Sequence, residues 1–529
     1  MAGKASFLDT ITAGYTFKGE SIRLGVGMQD GQAVPGAYVN LPLKTLNRHG
    51  LIAGATGTGK TKTLQMISEA LSDASIPVLL MDIKGDLSGI AAAGTANDKI
   101  NERYKLIGTT YQPAAYPVEF LSLSKEKGLR LRATVSEFGP ILLAKILGLN
   151  DTQEGVVALI FKFCDDNKLP LLDLKDFIKV LQYVSNEGKA EIEKAYGKIS
   201  TSSTGTILRK VIELQQQGAD PFFGEKSFEV DDLMRISDDG RGMISILRVT
   251  DIQDRPKLFS TFMLQLLAEL YASLPEEGDP DKPKLVLFID EAHLVFQEAG
   301  DALLQQIETV IKLIRSKGVG VYFCTQNPMD IPAGVLSQLG LKVQHALRAF
   351  TAADRKSIKQ AAENYPETEF YKTEDLITQM GIGEAFVTML NEKGIPTPLV
   401  HAMLCAPRSR MDILTPAEID GVVAKSKIAA KYNEVVDSES AYEILTAKLE
   451  EAANKGKGGS SDADDDDSNG PGNTGGRARK PEKSTLEKIL DSSAARQVGR
   501  TAANMLTRSL LGALGLGGKS SSRKKNSLF

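Results

Sequence analysis

A glycine-rich octapeptide directly after a short apolar segment constrains the fold of this chain more than any other feature. The apolar segment starts at Leu51, the octapeptide GATGTGKT spans Gly54 to Thr61, and a helical pattern follows from Lys62 to Ser72. The glycines allow the backbone to curl so that N–H groups converge on an anion, and the positive end of the following helix points at the same place. The pattern G-x-x-x-x-G-K-T between a strand and a helix therefore predicts a phosphate-binding loop.

Each position of this loop has an expected role. Lys60 is expected to neutralise the β- and γ-phosphates of a nucleotide, and the Thr61 hydroxyl to ligate Mg²⁺. A glycine-rich turn that binds no ligand is disfavoured, because the whole pattern and both flanking elements agree. The residues predicted to contact the nucleotide are Gly54, Ala55, Thr56, Gly57, Thr58, Gly59, Lys60, Thr61 and Lys62.

Two adjacent acids follow another apolar run, LVLFI from Leu285 to Ile289. Open α/β sheets bind ligands at the carboxyl ends of their strands, so Asp290 is expected to hold Mg²⁺ there. Glu291 is then placed to orient and polarise the attacking water. A solvated helix start is the alternative for the acids alone. A Glu beside the magnesium Asp favours ATP hydrolysis over transfer to a second substrate, as in a nucleotide kinase.

Apolar β-type runs alternate with helical patterns along most of the chain. Further runs start at Val78, Met243, Val319 and Lys342. This alternation predicts an α/β fold with a mostly parallel sheet that is covered on both faces. The predicted organisation is a short N-terminal β segment (1–45), an α/β core (46–96 and 241–410), a mostly helical insertion (97–240), a C-terminal helical extension (411–453), a flexible acidic and Gly-rich linker (454–483) and a basic amphipathic tail helix (484–529).

Composition excludes several classes of protein. The 529 residues include only three cysteines, and no stretch approaches the roughly 18 apolar residues of a membrane span. A reducing, cytoplasmic location without a membrane span is therefore expected, and the four histidines show no metal-ligand spacing. Residues 471–529 carry 12 Lys and Arg against 3 Asp and Glu, which leaves 51 against 64 for residues 1–470. Because residues 1–470 are acidic overall, binding of nucleic acid would thus need either a local basic lining or the basic tail.

Four motifs together resemble the HerA/FtsK superfamily of hexameric motor ATPases, and most of all its bacterial HerA-like (helicase HerA-like) branch. They are the octapeptide, DIKGD from Asp82, LFIDEAH ending at His293, and VYFCTQNPMDIP from Val321. The resemblance implies a RecA-like P-loop core that uses ATP and Mg²⁺. It also implies a homohexamer that acts as a DNA translocase or helicase through a central channel.

The resemblance assigns further site residues. Lys60 and Glu291 match the catalytic lysine and carboxylate, and Gln326 matches a polar sensor of the γ-phosphate. Arg315 resembles the arginine that a neighbouring subunit contributes, and Arg348 is the second candidate for that role. The alternatives are that Gln326 is an ordinary loop amide and that each arginine forms a salt bridge on the surface.

For two further residues, Lys84 and His293, the sequence leaves two interpretations open. Lys84 could face a ring channel or lie in a solvated turn, and His293 could support the site or simply pack. Only 53 residues precede Gly54, which leaves no room for the N-terminal barrel that docks a nuclease in HerA proteins. A dedicated nuclease partner is therefore not expected. An ATP-controlled scaffold, a regulatory ring or a motor acting on protein remain alternatives to a DNA motor.

Overall fold

The computed structural model describes residues 6–124, 126–252, 255–278, 280–296, 301–434 and 436–457. The tail helix and most of the linker that the sequence predicts lie outside the described residues.

Strands in the described part of the chain join one large sheet. They are β1 (Ser21–Gln29), β2 (Gln32–Pro42), β3 (Gly50–Ala53), β4 (Val78–Asp82), β5 (Val118–Ser122), β6 (Leu129–Arg130), β7 (Ile244–Arg248), β8 (Leu285–Ile289), β9 (Val319–Thr325), β10 (Leu341–Gln344), β11 (Glu384–Met389) and β12 (Val400–Leu404). Their order across the sheet is β2-β1-β12-β11-β10-β3-β9-β8-β4-β7-β5-β6. The strands from β10 to β6 in this order are parallel, and those from β11 to β2 pair in antiparallel fashion.

Helices connect these strands and extend beyond them. They are α1 (Phe7–Tyr15), α2 (Lys60–Asp73), α3 (Asp98–Ile107), α4 (Val135–Ile146), α5 (Asp151–Asp166), α6 (Leu174–Ser185), α7 (Lys189–Tyr196), α8 (Thr201–Gln216), α9 (Val230–Leu233), α10 (Pro256–Ser273), α11 (His293–Phe296), α12 (Asp301–Ile314), α13 (Ala333–Leu336), α14 (Ala352–Glu363), α15 (Thr373–Gln379), α16 (Pro416–Val423), α17 (Ala429–Asn433) and α18 (Ala441–Lys457). The predicted α/β fold with a mostly parallel sheet is confirmed.

The central strands are the ones that the sequence marks most clearly. Every residue of β3, β4, β8 and β9 is buried, as expected for parallel strands with both faces covered. The rings of Phe288 and Tyr322 pack 5.0 Å apart between β8 and β9. The Tyr322 hydroxyl donates a hydrogen bond to the carbonyl of Leu46 at 3.1 Å, so its buried polar atom is satisfied. A Cβ at Gly50 would lie 2.5 Å from the Tyr322 ring, which explains the glycine at the start of β3.

Strands also occur where the sequence gives no strong signal. Strands β5 and β6 lie within residues 97–240, and β5 pairs with β7 in the main sheet. The N-terminal strand β1 pairs with β12, so the first strands extend the central sheet. The Tyr15 hydroxyl of α1 donates to the carbonyls of Val387 and Pro398 at 2.9 and 2.7 Å. Pairing across such distances in sequence cannot be read from local periodicity.

The chain divides into two compact units, one within residues 1–134, 145–148 and 212–437, and one within 135–144, 149–211 and 438–529. The second unit is helical in its described part. Asp176 of α6 accepts hydrogen bonds there from the N–H groups of Leu172, Asp173 and Tyr442 at 2.8, 3.0 and 3.1 Å, and from the Ser440 hydroxyl. This buried carboxylate joins α6 to the start of α18. All residues of the candidate site lie in the first unit.

Candidate nucleotide site

The glycine-rich loop lies between β3 and α2, as the sequence predicts. Gly54, Gly57 and Gly59 have φ values of 152°, 78° and 113°, a region that L-residues with a side chain rarely adopt. A Cβ at Gly54 would lie 2.5 Å from the Cβ of His345, so a larger residue would also clash. Helix α2 begins at Lys60, and its first N–H groups have no partners inside the helix. They are therefore available to an anion.

Neighbouring segments hold this loop in place. The Ala55 N–H donates to the carbonyl of Ala346 at 2.8 Å, just beyond β10. The Thr58 hydroxyl donates to the Ala55 carbonyl at 2.7 Å, and the Thr58 carbonyl accepts from the Gly383 N–H at 3.0 Å. The loop is thus fixed by segments before β11 and after β10, which preorganises it for binding.

His345 packs against Gly54 of the loop, a role that the sequence did not reveal. Its Nδ1 lies 2.9 Å from the Glu384 carbonyl, and its Nε2 lies 2.9 Å from the Thr63 hydroxyl. Because a carbonyl only accepts, Nδ1 carries the proton and Nε2 accepts from Thr63. Burial lowers the pKa of His345 to about 4, and the nearby Lys60 lowers it as well. The ring is therefore neutral near pH 7 and adds no charge behind the loop.

The two lysines of the motif face different partners. Lys60 is buried, with its Nζ 3.2 Å from the Ala55 carbonyl. Burial lowers the pKa of Lys60, the Lys84 ammonium lowers it further, and two nearby carboxylates oppose both effects. Lys62 instead donates to the carbonyl of Met411 at 2.5 Å and to Gln65 at 3.2 Å. Contact between Lys62 and a nucleotide stays a prediction.

Asp290 directly follows β8 and is 2% exposed. Its Oδ2 is buried and has no hydrogen-bond partner among the residues that the structure describes. Burial raises the pKa of this carboxyl to about 6, and the Lys84 ammonium acts in the opposite direction. A buried carboxylate oxygen without a partner fits a cation ligand. The described chain has no group of three His, Cys, Asp or Glu arranged for a metal, but Mg²⁺ commonly takes only one or two protein groups besides phosphate.

Glu291 lies at the centre of a polar cluster. Its carboxylate forms an ion pair with Lys84, lies 3.2 Å from His293 Nδ1 and accepts a hydrogen bond from Gln326 Nε2 at 3.5 Å. Its φ is 45°, in the left-handed region, so the backbone turns sharply at this residue. The Ala292 N–H donates to the carbonyl of Cys324 at 2.8 Å and anchors the turn to β9.

Lys84 reaches this cluster from a turn that follows β4. The Asp82 carboxylate accepts hydrogen bonds from the N–H groups of Gly85, Asp86 and Leu87 at 2.7, 3.1 and 3.3 Å, which fix the turn. Burial raises the pKa of Asp82 to about 7 despite these donors. The sequence alone leaves Lys84 between a channel and a solvated turn. Strand β4 ends at Asp82, the first residue of DIKGD, so the sequence places Lys84 at the carboxyl end of a buried strand, and the pairing of β4 with β8 brings it to Glu291.

Gln326 lies at the carboxyl end of β9, between β3 and β8 in the sheet. The preceding Thr325 hydroxyl donates to Asp330 at 2.8 Å, which fixes the loop after the strand. Gln326 is exposed apart from its contact with Glu291, so its amide is accessible beside the catalytic candidate. Its position agrees with a sensor, and that role stays a prediction.

The two candidate arginines occupy different edges of the sheet. Arg315 is exposed in a 3₁₀ turn, Arg315–Lys317, directly before β9. Arg315 precedes β9, whereas Asp290 follows β8. Because β8 and β9 are parallel, the two residues of one chain lie at opposite ends of these strands. The apolar run from Lys342 forms β10, which ends at Gln344, so Arg348 lies in the segment that follows the strand. Its guanidinium donates to the carbonyls of Thr378 and Met380 at 2.6 and 3.4 Å.

The phosphate loop after β3, the acid pair after β8 and the order of the parallel strands define a RecA-like P-loop NTPase. The sequence profile of the helicase HerA-like C-terminal family matches residues 28–521. The chain therefore belongs to the helicase HerA-like C-terminal family. It is by class a P-loop ATPase, with ATP and Mg²⁺ as the ligands that its site fits.

Similar proteins are named for work on DNA. The chain is 22% identical over 370 residues to the DNA double-strand break repair helicase HerA of Saccharolobus solfataricus, which covers 68% of this chain and 66% of the relative. It is 23% identical over 392 residues to the DNA import protein CedB of Sulfolobus acidocaldarius, covering 72% and 55%. The chain thus spans slightly less than two thirds of the first relative and about half of the second.

The chain is also similar to two solved structures. The conjugative coupling protein TrwB is 14% identical with a TM-score of 0.49, covering 77% of this chain and 93% of that one. VirB4 of Thermoanaerobacter pseudethanolicus is 15% identical with a TM-score of 0.46, covering 77% and 100%. Over the described residues, the chain has no helix that is both long and apolar enough to cross a membrane.

Proposed function

We propose that this protein is a Mg²⁺-dependent ATPase that works as a HerA-type ring motor. One observation carries the proposal. Near Lys60 of the phosphate loop lie Glu291, which accepts a hydrogen bond from Gln326, and the buried Asp290, whose Oδ2 has no hydrogen-bond partner within the described part of the chain. This combination supplies a phosphate site after β3 and a cation ligand and a general base after β8, two parallel strands separated by β9.

Each residue has a distinct part in hydrolysis. Lys60 and the first N–H groups of α2 bind and neutralise the phosphates. Thr61 and Asp290 hold Mg²⁺, which supplies further neutralisation of phosphate charge when it is bound. Glu291 orients the attacking water and takes its proton, and Gln326 contacts the same carboxylate from β9. General-base catalysis of this kind contributes about 10²- to 10⁴-fold in rate.

The proposed assembly is a homohexamer with head-to-tail contacts. Such heterologous contacts close into rings and place one edge of a subunit against the other edge of its neighbour. Arg315 supports this arrangement because it is exposed at the edge opposite the acid pair and cannot serve its own site. In a ring it would reach the neighbouring phosphates, where a planar cation stabilises the transferring phosphoryl group.

DNA is the proposed substrate of the motor. The supporting observation is that relatives of similar sequence are named as a repair helicase and a DNA import protein. The test is the steady-state ATPase rate with and without double-stranded DNA at low salt. A DNA motor gives a rate that DNA raises several-fold and a DNA affinity that falls steeply with salt. An unchanged rate and no salt dependence would contradict DNA translocation.

A second candidate is an ATP-controlled scaffold that hydrolyses slowly, including a ring that acts on protein. The Lys84 ion pair favours it, because a cation on Glu291 competes with the water that the carboxylate must activate. A low basal rate that no DNA stimulates would support this candidate. We also propose a cytoplasmic location, in keeping with three cysteines that form no disulfide.

A further inference from the structure

Two large apolar side chains near the phosphate loop are exposed to an unusual degree. Phe350 is 88% exposed and Ile382 is 74% exposed. Single exposed apolar residues are ordinary on protein surfaces. These two differ because each is carried by a segment that is hydrogen-bonded to the loop, and we refer to them as the apolar pair.

Short connections link the apolar pair to the loop. Ala346, four residues before Phe350, accepts the Ala55 N–H at 2.8 Å. Gly383, the residue after Ile382, donates its N–H to the Thr58 carbonyl at 3.0 Å. The segments that carry both side chains therefore lie beside the phosphate loop, on the side of β10 and β11.

The backbones that carry the pair are tied to each other and to the body. The Arg348 guanidinium donates to the Thr378 and Met380 carbonyls, which joins the Phe350 segment to the Ile382 segment. Arg103 Nη2 donates to the Ile382 carbonyl at 3.0 Å. The Phe350 N–H donates to Asp354 at 2.9 Å, at the start of α14. Fixed backbones with exposed apolar side chains form a preorganised surface.

The other side of the loop is polar. Strand β3 has β9 and then β8 and β4 on that side, and their ends carry Gln326, Asp290, Glu291 and Lys84. These groups suit phosphate, cation and water. A base attached to a triphosphate in the loop has its apolar contact on the opposite side, toward β10 and β11.

We infer that Phe350 and Ile382 bind the nucleobase of the nucleotide whose phosphates occupy the loop. Phe350 provides an aromatic face for stacking on a purine, and Ile382 covers a further part of the ring. The inference rests on the proposed ATPase function and adds the residues that recognise the base. Loss of one base–aromatic stack weakens binding about 10-fold to 100-fold.

A tryptophan reporter tests this directly, because the chain contains no tryptophan. Phe350→Trp introduces a single fluorophore at the apolar pair. We expect its emission to change saturably with Mg-ATP and Mg-ADP and to stay constant with Mg-tripolyphosphate, which has no base. Ile236→Trp is the matched control. Ile236 is 48% exposed and precedes β7, so it lies at the amino-terminal end of the parallel strands, whereas the phosphate loop lies at their carboxyl end. Its emission should not respond to any of the three.

Affinity provides the second readout. Phe350→Ala should weaken binding of ATP and ADP at least about 10-fold and leave tripolyphosphate binding unchanged, and Phe350→Tyr should restore nucleotide affinity. Retention of radiolabelled ATP by the wild-type chain is measured alongside. If the wild type retains ATP while neither the emission of the Phe350→Trp variant nor the affinity of Phe350→Ala changes, the base site is contradicted and the ATPase proposal stands.

The other outcomes are also distinct. Failure of folded wild-type protein to retain ATP contradicts the proposed function itself. An emission change that depends on protein concentration without nucleotide shows that a second copy covers the apolar pair, and this result overturns base binding. Phe350 is almost fully exposed, so its substitution should leave the far-ultraviolet circular dichroism unchanged.

Discussion

The Lys84 ammonium and the Glu291 carboxylate form an ion pair that connects the turn after β4 to the end of β8. The Glu291 side chain is 6% exposed, whereas Lys84 is 37% exposed. The pair therefore sets a nearly buried carboxylate against a cation that reaches solvent. If the protein is the proposed ATPase, Lys84 is expected to position Glu291, whereas in the scaffold alternative the same ion pair restrains it.

Removing the Lys84 ammonium should impair the action of Glu291 as a general base more than it impairs nucleotide binding. In Lys84→Met, we expect kcat to fall about 10-fold to 100-fold with little change in KM. Lys84→Arg should keep most of the activity. Faster turnover in Lys84→Met would show that the ion pair restrains Glu291 instead of supporting it.

Mg²⁺ affinity should depend on the ionisation of Asp290. Burial raises the pKa of Asp290 to about 6, and a cation binds the ionised form, so Mg²⁺ must displace a proton below that pH. The Mg²⁺-dependent gain in ADP affinity should therefore fall as pH drops from 7 to 5, by up to about 10-fold per pH unit below 6. Isothermal titration of wild type against Asp290→Asn separates this effect from protonation of the nucleotide. Equal pH dependence in both proteins would exclude Asp290 as the ligand.

His345 should make the fold sensitive to mild acid. Its pKa of about 4 lies below the value of about 6.5 in an unfolded chain, so the unfolded state binds more protons between these values. Its contribution to stability is therefore complete above about pH 6.5 and is lost as pH falls toward 4, by roughly 3 kcal/mol at most.

Urea unfolding at pH 7.5 and pH 5 measures this loss. His345→Gln should be less stable than wild type at pH 7.5, and the gap should narrow at pH 5. Buried Asp82 and Glu69, whose pKa values are raised to about 7, act in the opposite direction in both proteins and cancel in the comparison. A gap that stays constant with pH would show that His345 is not neutral and buried.

Subunit mixing tests whether arginine acts between chains. Arg315→Ala and Glu291→Gln should each be inactive alone, whereas mixed rings should regain part of the hydrolysis, because some sites then combine an intact base with an intact arginine. Arg348→Ala is the comparison: its guanidinium bonds backbone carbonyls, so it should lower thermal stability first. No recovery in any mixture would reject Arg315 as a trans residue.

Sequence reasoning identified the parts of the site that are local in the chain. The loop from Gly54 to Thr61 and the acids at Asp290 and Glu291 follow buried strands, and each pattern predicts its own position at a sheet edge. His345 could not be found in this way, because its function depends on β10 lying next to β3.

The same limit applies to the cluster around Glu291. Lys84 and His293 are separated by more than two hundred residues, and only the pairing of β4 with β8 brings Lys84 to the acid. The antiparallel strands β11 and β12, which the sequence did not predict, pair with each other and join the sheet through β10 and β1, strands that lie farther away in sequence. Local patterns predict elements, and long-range pairing decides which side chains meet.

The central claim is that Glu291 cleaves a nucleotide held by the loop, and one paired measurement tests it. Retention of radiolabelled ATP and release of phosphate are compared for wild type, Glu291→Gln and the exposed control Glu187→Gln, with Mg²⁺ present. We expect all three to retain ATP, with phosphate release lowered about 10²- to 10⁴-fold only in Glu291→Gln. Normal phosphate release by Glu291→Gln, or no retention of ATP by folded wild-type protein, would contradict the account.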